Sequence, residues 1–301
     1  METNKKPIFI VGNGRSGTTM LGQILTKANV GVSFEGHFVV KALKKFGMDI
    51  KSHSELENLI MFILGFESSK RFNFTLDSKD YNLDKKLTTR RVLTDALEKI
   101  ANKHPELVWI EKTPHYVNDL DLIFEVFPDA KIIWMLRDGR DVASSVFKKS
   151  WGANNSFYAA KDWVHSNYNN KSLNDPRVLL VKYEKLLTNP SKGLDEIFTF
   201  LEFQCDFLSE LANRINPDKM YQWKNKMNRR QLNAFESVAF DCLKKFEYET
   251  VNKNRPTLNW FQILFYYTHH NALWTKHLIK VNIVDFILIK LGLLLPFDEK
   301  N

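Results

Sequence analysis

Cysteine is scarce. Cys205 and Cys242 are the only two in 301 residues, too few for a disulfide framework and suited to a reducing compartment. No stretch reaches the ~18–20 uninterrupted apolar residues of a membrane-spanning helix. The polar start, Met1 to Lys6, carries no apolar signal core, so the expectation is a cytoplasmic protein. With 12 glycines and 9 prolines the chain is not collagen-like, and no repeat or low-complexity tract is visible. A nucleic-acid-binding signature is also missing, and no nucleic-acid partner is expected. What is present is an ordinary globular composition, 44% hydrophobic and 26% charged, with 43 Lys and Arg against 35 Asp and Glu. Basic pairs such as Lys44-Lys45 and Lys85-Lys86 read as solvated surface. The net charge of +8 suits a small polyanionic ligand or an anionic surface.

Apolar runs and helical periodicities alternate along the chain. Pro7–Val11, Leu107–Ile110, Lys131–Leu136 and Val178–Val181 have the form of buried parallel strands. Between them, helical spacing recurs through Met20, Leu21, Ile24 and Leu25, over Leu56–Phe66 behind a capping box at Ser54 and Glu57, and over Leu87–His104. It returns from about His115 to Phe127, through Val142, Ser145 and Val146, and from Asn189-Pro190 to about Phe203. Arg229–Phe246 forms another helix whose apolar face includes Cys242, a packing residue rather than a nucleophile. The pattern predicts an α/β fold, a parallel sheet covered by helices on both faces. Glu249–Thr257 reads as a linker, dividing a domain over 1–250 from a helical C-terminal extension over 251–301.

Two segments carry the chemistry. The first strand runs into Gly12-Asn13-Gly14-Arg15-Ser16-Gly17-Thr18-Thr19. Glycines between a strand and a helix let successive N–H groups converge on a phosphate. The nucleotide-hydrolase version has Lys after the last glycine; here Thr18 stands there and the cation is Arg15. The second segment is Leu136-Arg137-Asp138-Gly139-Arg140-Asp141. A nucleoside-triphosphate hydrolase would end this strand with a metal-binding Asp. Arg137 stands there instead, with a guanidinium suited to bidentate grip on phosphate. With a helix starting near Asp141, Ser145 lies about one turn in and can add a hydroxyl. Two separated anion sites imply a nucleotide with two separate phosphates, which argues against a kinase.

These residues resemble the sulfotransferases that use 3′-phosphoadenosine 5′-phosphosulfate (PAPS). Gly14, Arg15, Ser16, Gly17, Thr18 and Thr19 are similar to that family's 5′-phosphosulfate loop. Arg137 and Ser145, eight apart, resemble its 3′-phosphate pair. Val181-Lys182-Tyr183-Glu184 followed by Asn189-Pro190 is similar to the segment whose tyrosine lies near the adenine. Glu35-Gly36-His37-Phe38 resembles the Glu-x-His-Phe of the carbohydrate-type and bacterial branches, whose glutamate is the general base. Glu111-Lys112-Thr113-Pro114 resembles their segment whose lysine faces the sulfuryl group. The cytosolic small-molecule branch has a catalytic histidine where this chain has Pro114, so the likeness is to the carbohydrate, tyrosyl-protein and bacterial branches. It covers roughly residues 7–250.

The resemblance implies a P-loop-like fold, PAPS as donor, adenosine 3′,5′-bisphosphate as product and no required metal. Glu35 would take the acceptor's proton, with His37 the alternative base. Arg15 and Lys112 would neutralise charge on the transferring group. The acceptor is open among small molecules, glycans and lipids, and the oligomeric state is not implied. Rival readings are a small-molecule kinase of P-loop type and a non-catalytic nucleotide-binding protein. Asn154, Asn169 and the Trp and Phe residues between 147 and 163 are candidates for an acceptor pocket. His269, His270 and His277 share helical spacing, but no carboxylate or cysteine completes a metal set. Val281–Leu295 has a broad apolar face broken by Asn282, Asp285 and Lys290. It is either a helix docked on the domain or a peripheral contact with a membrane.

Overall fold

In a computed structural model of the chain, the structure describes residues 6–83, 86–101, 108–147, 149, 152–168 and 170–279. The elements run β1 (Ile8–Gly12), α1 (Thr18–Lys27), β2 (Gly31–Phe34), α2 (Val39–Phe46), α3 (His53–Leu64), α4 (Glu67–Phe72), α5 (Thr89–Ala101) and β3 (Val108–Glu111). They continue through α6 (Leu120–Val126), β4 (Lys131–Leu136), α7 (Gly139–Val146), α8 (Ser156–Asn167), β5 (Val178–Lys182), α9 (Tyr183–Thr188) and α10 (Pro190–Leu201). The last are α11 (Leu208–Ala212), α12 (Trp223–Lys226), α13 (Arg229–Lys245) and α14 (Trp260–Ile279). Contacts group these into two units, 1–137 with 169–220 and 138–168 with 221–301.

The first unit holds the sheet. Its five strands are parallel in the order β2-β3-β1-β4-β5. Side chains alternate across a strand, and the strands here divide accordingly. Phe9, Val11, Ile132 and Trp134 enter one core with α2, α3, α5 and α6. Ile8, Ile10, Ile133 and Met135 enter the other with α1, α9, α10 and α11. Both faces are covered, which is why β1 and most of β4 read as continuous apolar runs. Each fully buried aliphatic side chain contributes about 1.5–3 kcal/mol, enough to fix the strand ends to which the polar residues are attached.

The expected strands and most expected helices are present, with instructive shifts. The cap of α3 is Ser52, not Ser54: Ser52 Oγ accepts from Glu55 N–H, and Glu55 reaches back to Lys51 N–H. The residue with extended backbone just before the first turn is the one that can cap. Strand β2 was not expected. Gly31–Phe34 is a short edge strand with a half-exposed centre, lacking the run of buried residues that marks β1 and β4.

The second unit is helical. Trp163 of α8 is fully buried against Phe235 and Phe246, with ring centroids 6.2 and 6.4 Å apart. Arg140, 1% exposed, is held by both carboxylate oxygens of Asp138 at 3.0 and 2.8 Å and by Glu236 at 3.3 Å, with its guanidinium 3.9 Å from the Trp223 ring centroid. Helix α7 starts at Gly139 behind the capping carboxylate of Asp138, two residues earlier than expected, so Ser145 falls in its last turn. Cys242 is buried, and burial pushes its thiol up to about 12, as expected for a packing residue. The stretch expected as a linker is pinned: buried Glu236 accepts from the N–H groups of Val251 and Asn252 at 2.7 and 3.0 Å. Val281–Leu295 lies outside the described residues.

Candidate functional site

Because all five strands are parallel, their carboxyl ends share one edge, and each candidate residue of the first unit follows a strand directly. Glu35 follows β2, Lys112 follows β3, the Asn13–Thr19 loop follows β1, Arg137 follows β4 and Tyr183 follows β5. The spatial order of the strands therefore sets the order along the edge: base candidate, lysine, phosphate loop, arginine, tyrosine. Open parallel sheets place ligands at this edge.

The Asn13–Thr19 loop turns through left-handed backbone at Arg15 (φ 72°) and Gly17 (φ 94°). Gly17 is required sterically as well: a Cβ there would lie 2.5 Å from the Tyr183 ring. Gly17 caps α1 with no side chain, so the first-turn N–H groups of the helix are offered outward. The Ser16 hydroxyl is buried and has no hydrogen-bond partner, an arrangement that costs free energy unless an acceptor comes to it. Arg137 donates to the carbonyls of Arg15 at 3.1 Å and Lys219 at 2.8 Å, and its guanidinium sits 4.5 Å from the Tyr183 ring centroid. Tyr183 thus packs between the loop glycine and the arginine. Ser145 belongs to the second unit.

On the other side of the loop, Lys112 Nζ pairs with Glu35 and donates to Thr19 Oγ1 at 3.3 Å. His37 Nε2 lies 3.3 Å from the other Glu35 oxygen. Burial pushes the Glu35 carboxyl up, but the hydrogen bonds and charges of His37 and Lys112 outweigh it and bring it down to about 2. Beneath this lies a residue for which the sequence suggested no role. Glu111, ending β3, is fully buried and accepts the Gly36 N–H on both oxygens, at 3.1 and 2.9 Å, and the Thr113 hydroxyl. Thr113 Oγ1 in turn accepts from His37 N–H at 3.4 Å, and Ser68 Oγ donates to the Gly36 carbonyl at 2.6 Å. A Cβ on Gly36 would lie 2.6 Å from Glu111 Oε2, so only glycine fits this turn. Burial raises the Glu111 carboxyl to about 7, against the opposing pull of Thr113, His37 and the Gly36 N–H. The available signal was position: Glu111 ends a strand whose neighbours in sequence are buried.

Other candidates resolve differently. Trp163 and Phe157 are buried in helix packing of the second unit. Asn169, Trp151 and the side chain of His277 lie outside the described residues. Among the described residues no group of His, Cys, Asp and Glu is arranged to hold a metal ion, and no helix is long and apolar enough to cross a membrane.

Comparison with known proteins bears on the whole edge. A model of the sulfotransferase family matches residues 7–206. A protein-tyrosine sulfotransferase of Drosophila melanogaster is 25% identical over 207 residues, 65% of this chain and 38% of that one. An uncharacterized protein of Aquifex aeolicus (strain VF5) is 29% identical over 203 residues, 64% of this chain and 23% of that one. The chain thus matches only about a quarter to two-fifths of the length of these relatives. Among solved structures, the sulfotransferase domain from the Synechococcus PCC 7002 olefin synthase aligns with a TM-score of 0.56 and 20% identity, covering 82% of this chain and 96% of that domain. The sulfotransferase domain from the curacin biosynthetic pathway aligns with a TM-score of 0.54 and 18% identity, covering 81% and 98%. At such identities these two speak for the fold, the P-loop-like α/β sheet. The match of the family model over 7–206 takes in every strand of the sheet, and it shows that the chain belongs to the sulfotransferase family.

Proposed function

We propose that this sulfotransferase uses PAPS as donor and passes the sulfuryl group to a hydroxyl or amine acceptor, releasing adenosine 3′,5′-bisphosphate. The observation that carries the reading is the position of the Lys112 ammonium, between Thr19 of the phosphate loop and the Glu35 carboxylate. A cation there can serve an anionic group on the loop and a base beside it at once.

The donor set suits this ligand. The orphaned Ser16 hydroxyl, the open N–H groups of α1, and Arg15, Thr18 and Thr19 would hold the 5′-phosphosulfate. Arg137, braced by the Tyr183 ring, would take the 3′-phosphate, and Tyr183 would mark the adenine end. When bound, the donor supplies an activated sulfuryl group whose in-line transfer depends on positioning and charge stabilisation. Glu35 accepts the proton of the acceptor hydroxyl. Lys112 and Arg15 present positive charge where negative charge develops. An anionic group at Thr19 competes with Glu35 for Lys112, and as that pairing loosens the basicity of Glu35 rises. His37 orients the Glu35 carboxylate. The chain works in the cytoplasm on this reading. The 281–295 segment is a candidate for peripheral membrane contact.

The test is incubation of the full chain with PAPS and a panel of alcohols, glycans, lipids and tyrosyl peptides, following adenosine 3′,5′-bisphosphate. Acceptor-dependent release is expected. Tight bisphosphate binding with no release for any acceptor class would favour a non-catalytic nucleotide-binding role.

A further inference from the structure

Helix α14 is fixed along one side. Tyr266 stacks on Phe157 of α8 with centroids 5.7 Å apart, Asn155 Nδ2 donates to the Tyr266 carbonyl at 3.0 Å, and Lys161 Nζ donates to Tyr267 Oη at 2.8 Å. The opposite side of its first two turns is apolar and open. Trp260 and Phe261 are each 63% exposed, Leu264 51% and Phe265 48%. Their spacing, i, i+1, i+4 and i+5, puts all four on one face. Further along, that face carries Thr268, Asn271 and Thr275 before exposed Ile279, so its aromatic part is a short patch at the start of the helix.

The segment that carries the patch has charge of one sign. From Thr250 to Val284 the sequence has no Asp or Glu, but carries Lys253, Arg255, Lys276 and Lys280. Arg255 is paired with Asp241. Arg230, at the start of α13, places its guanidinium 5.4 Å from the Phe265 ring centroid, at the border of the patch. Exposed aromatic and aliphatic side chains with Arg230 at their border, in a segment free of acidic residues, match the interface of an anionic bilayer, where rings sit at headgroup depth and Lys and Arg meet lipid phosphates. A second copy of this chain is a poorer occupant. Its patch would bring the same cations face to face with no carboxylate of 250–284 to receive them.

We propose that Trp260, Phe261, Leu264 and Phe265, with Arg230 and Lys253, seat this chain on anionic lipid surfaces. The proposal does not depend on the donor or the acceptor, because it concerns attachment alone. The experiment is co-sedimentation of the full chain with vesicles of phosphatidylcholine alone and with about 30% phosphatidylserine added. Wild type should bind the anionic vesicles and release them at high salt. Trp260→Ser/Phe261→Ser/Leu264→Ser/Phe265→Ser should abolish pelleting while keeping the wild-type melting temperature, since these side chains are exposed. Arg230→Ala/Lys253→Ala should weaken binding roughly 30-fold, on the usual contribution of two basic residues near such a surface. Wild type that ignores anionic vesicles would overturn the proposal. So would a quadruple serine variant that still pellets, which would move attachment to 281–295. Loss of a wild-type dimer in that variant without any vesicle binding would also overturn it and assign the patch to self-association.

Discussion

The rim and the floor of the sheet's carboxyl edge use the same residue type in opposite ways. Glu35, half-exposed after β2, faces two cationic partners and is held at about 2. Glu111, at the end of neighbouring β3, is fully buried among neutral donors, and burial raises it to about 7. The rim carboxylate is charged and open to a reactant. The floor carboxyl ties Gly36 and, through Thr113, His37, so that the turn bearing Glu35 keeps one shape. A carboxyl's place relative to solvent and to cations decides its chemistry more than its place in a motif does.

Substitutions at the rim and at the floor test this difference. The largest effect is expected at the rim: Glu35→Gln should lower turnover by roughly 10²–10⁴ while leaving bisphosphate binding intact. Steady-state kinetics beside His37→Ala checks it, and a dead His37 variant with an active Glu35 variant would hand the base role to the histidine. Lys112→Ala should lower turnover by roughly 10²–10³, since it removes one preorganised cation. At the floor the expected loss is in stability. Glu111→Ala leaves the Gly36 N–H and the Thr113 hydroxyl without their acceptor and opens a cavity, costing about 2–5 kcal/mol in denaturant unfolding. Glu111→Gln should cost far less, because it keeps the shape and an acceptor.

The smallest effects are slopes with pH, and their signs oppose. Below an ordinary value of 4.5, folded Glu35 stays charged while the unfolded chain takes up its proton. Its contribution is therefore complete above pH 4.5 and is lost as pH falls toward about 2. Folded Glu111 keeps its proton up to about pH 7, while the unfolded chain releases it near 4.5, so stability falls as pH rises between those values. The unfolding free energy of wild type minus Glu111→Gln should fall from pH 4.5 to 7, and wild type minus Glu35→Gln should fall from pH 4.5 down. Slopes of the same sign would contradict the contrast.

Much of this edge was legible in the sequence, because buried parallel strands announce themselves as apolar runs and the residue after each run must sit at one edge. Arg15, Lys112, Arg137 and Tyr183 were all found that way or through the family resemblance. Strand β2 was not, since four residues at the sheet margin carry too little periodicity, and Glu35 was reached only through the resemblance. Ser68 and Thr113 were missed because their work is hydrogen bonding to the backbone of a distant turn, which no local pattern records. The α3 cap was misplaced by two residues because two serines precede that helix and only backbone geometry distinguishes them. Trp163 and Phe157 were candidates for a pocket, yet aromatic residues at helical spacing pack more often than they bind.

Calorimetry tests, without knowledge of the acceptor, whether the carboxyl edge of the sheet holds a nucleotide with two separated phosphates. Adenosine 3′,5′-bisphosphate and adenosine 5′-phosphate are titrated into wild type, Arg137→Ala and Glu111→Gln. Wild type should prefer the bisphosphate, Arg137→Ala should lose about 2–5 kcal/mol of bisphosphate binding and little of the monophosphate's, and Glu111→Gln should behave as wild type. Equal loss of both ligands in Arg137→Ala, or no preference in wild type, would contradict it.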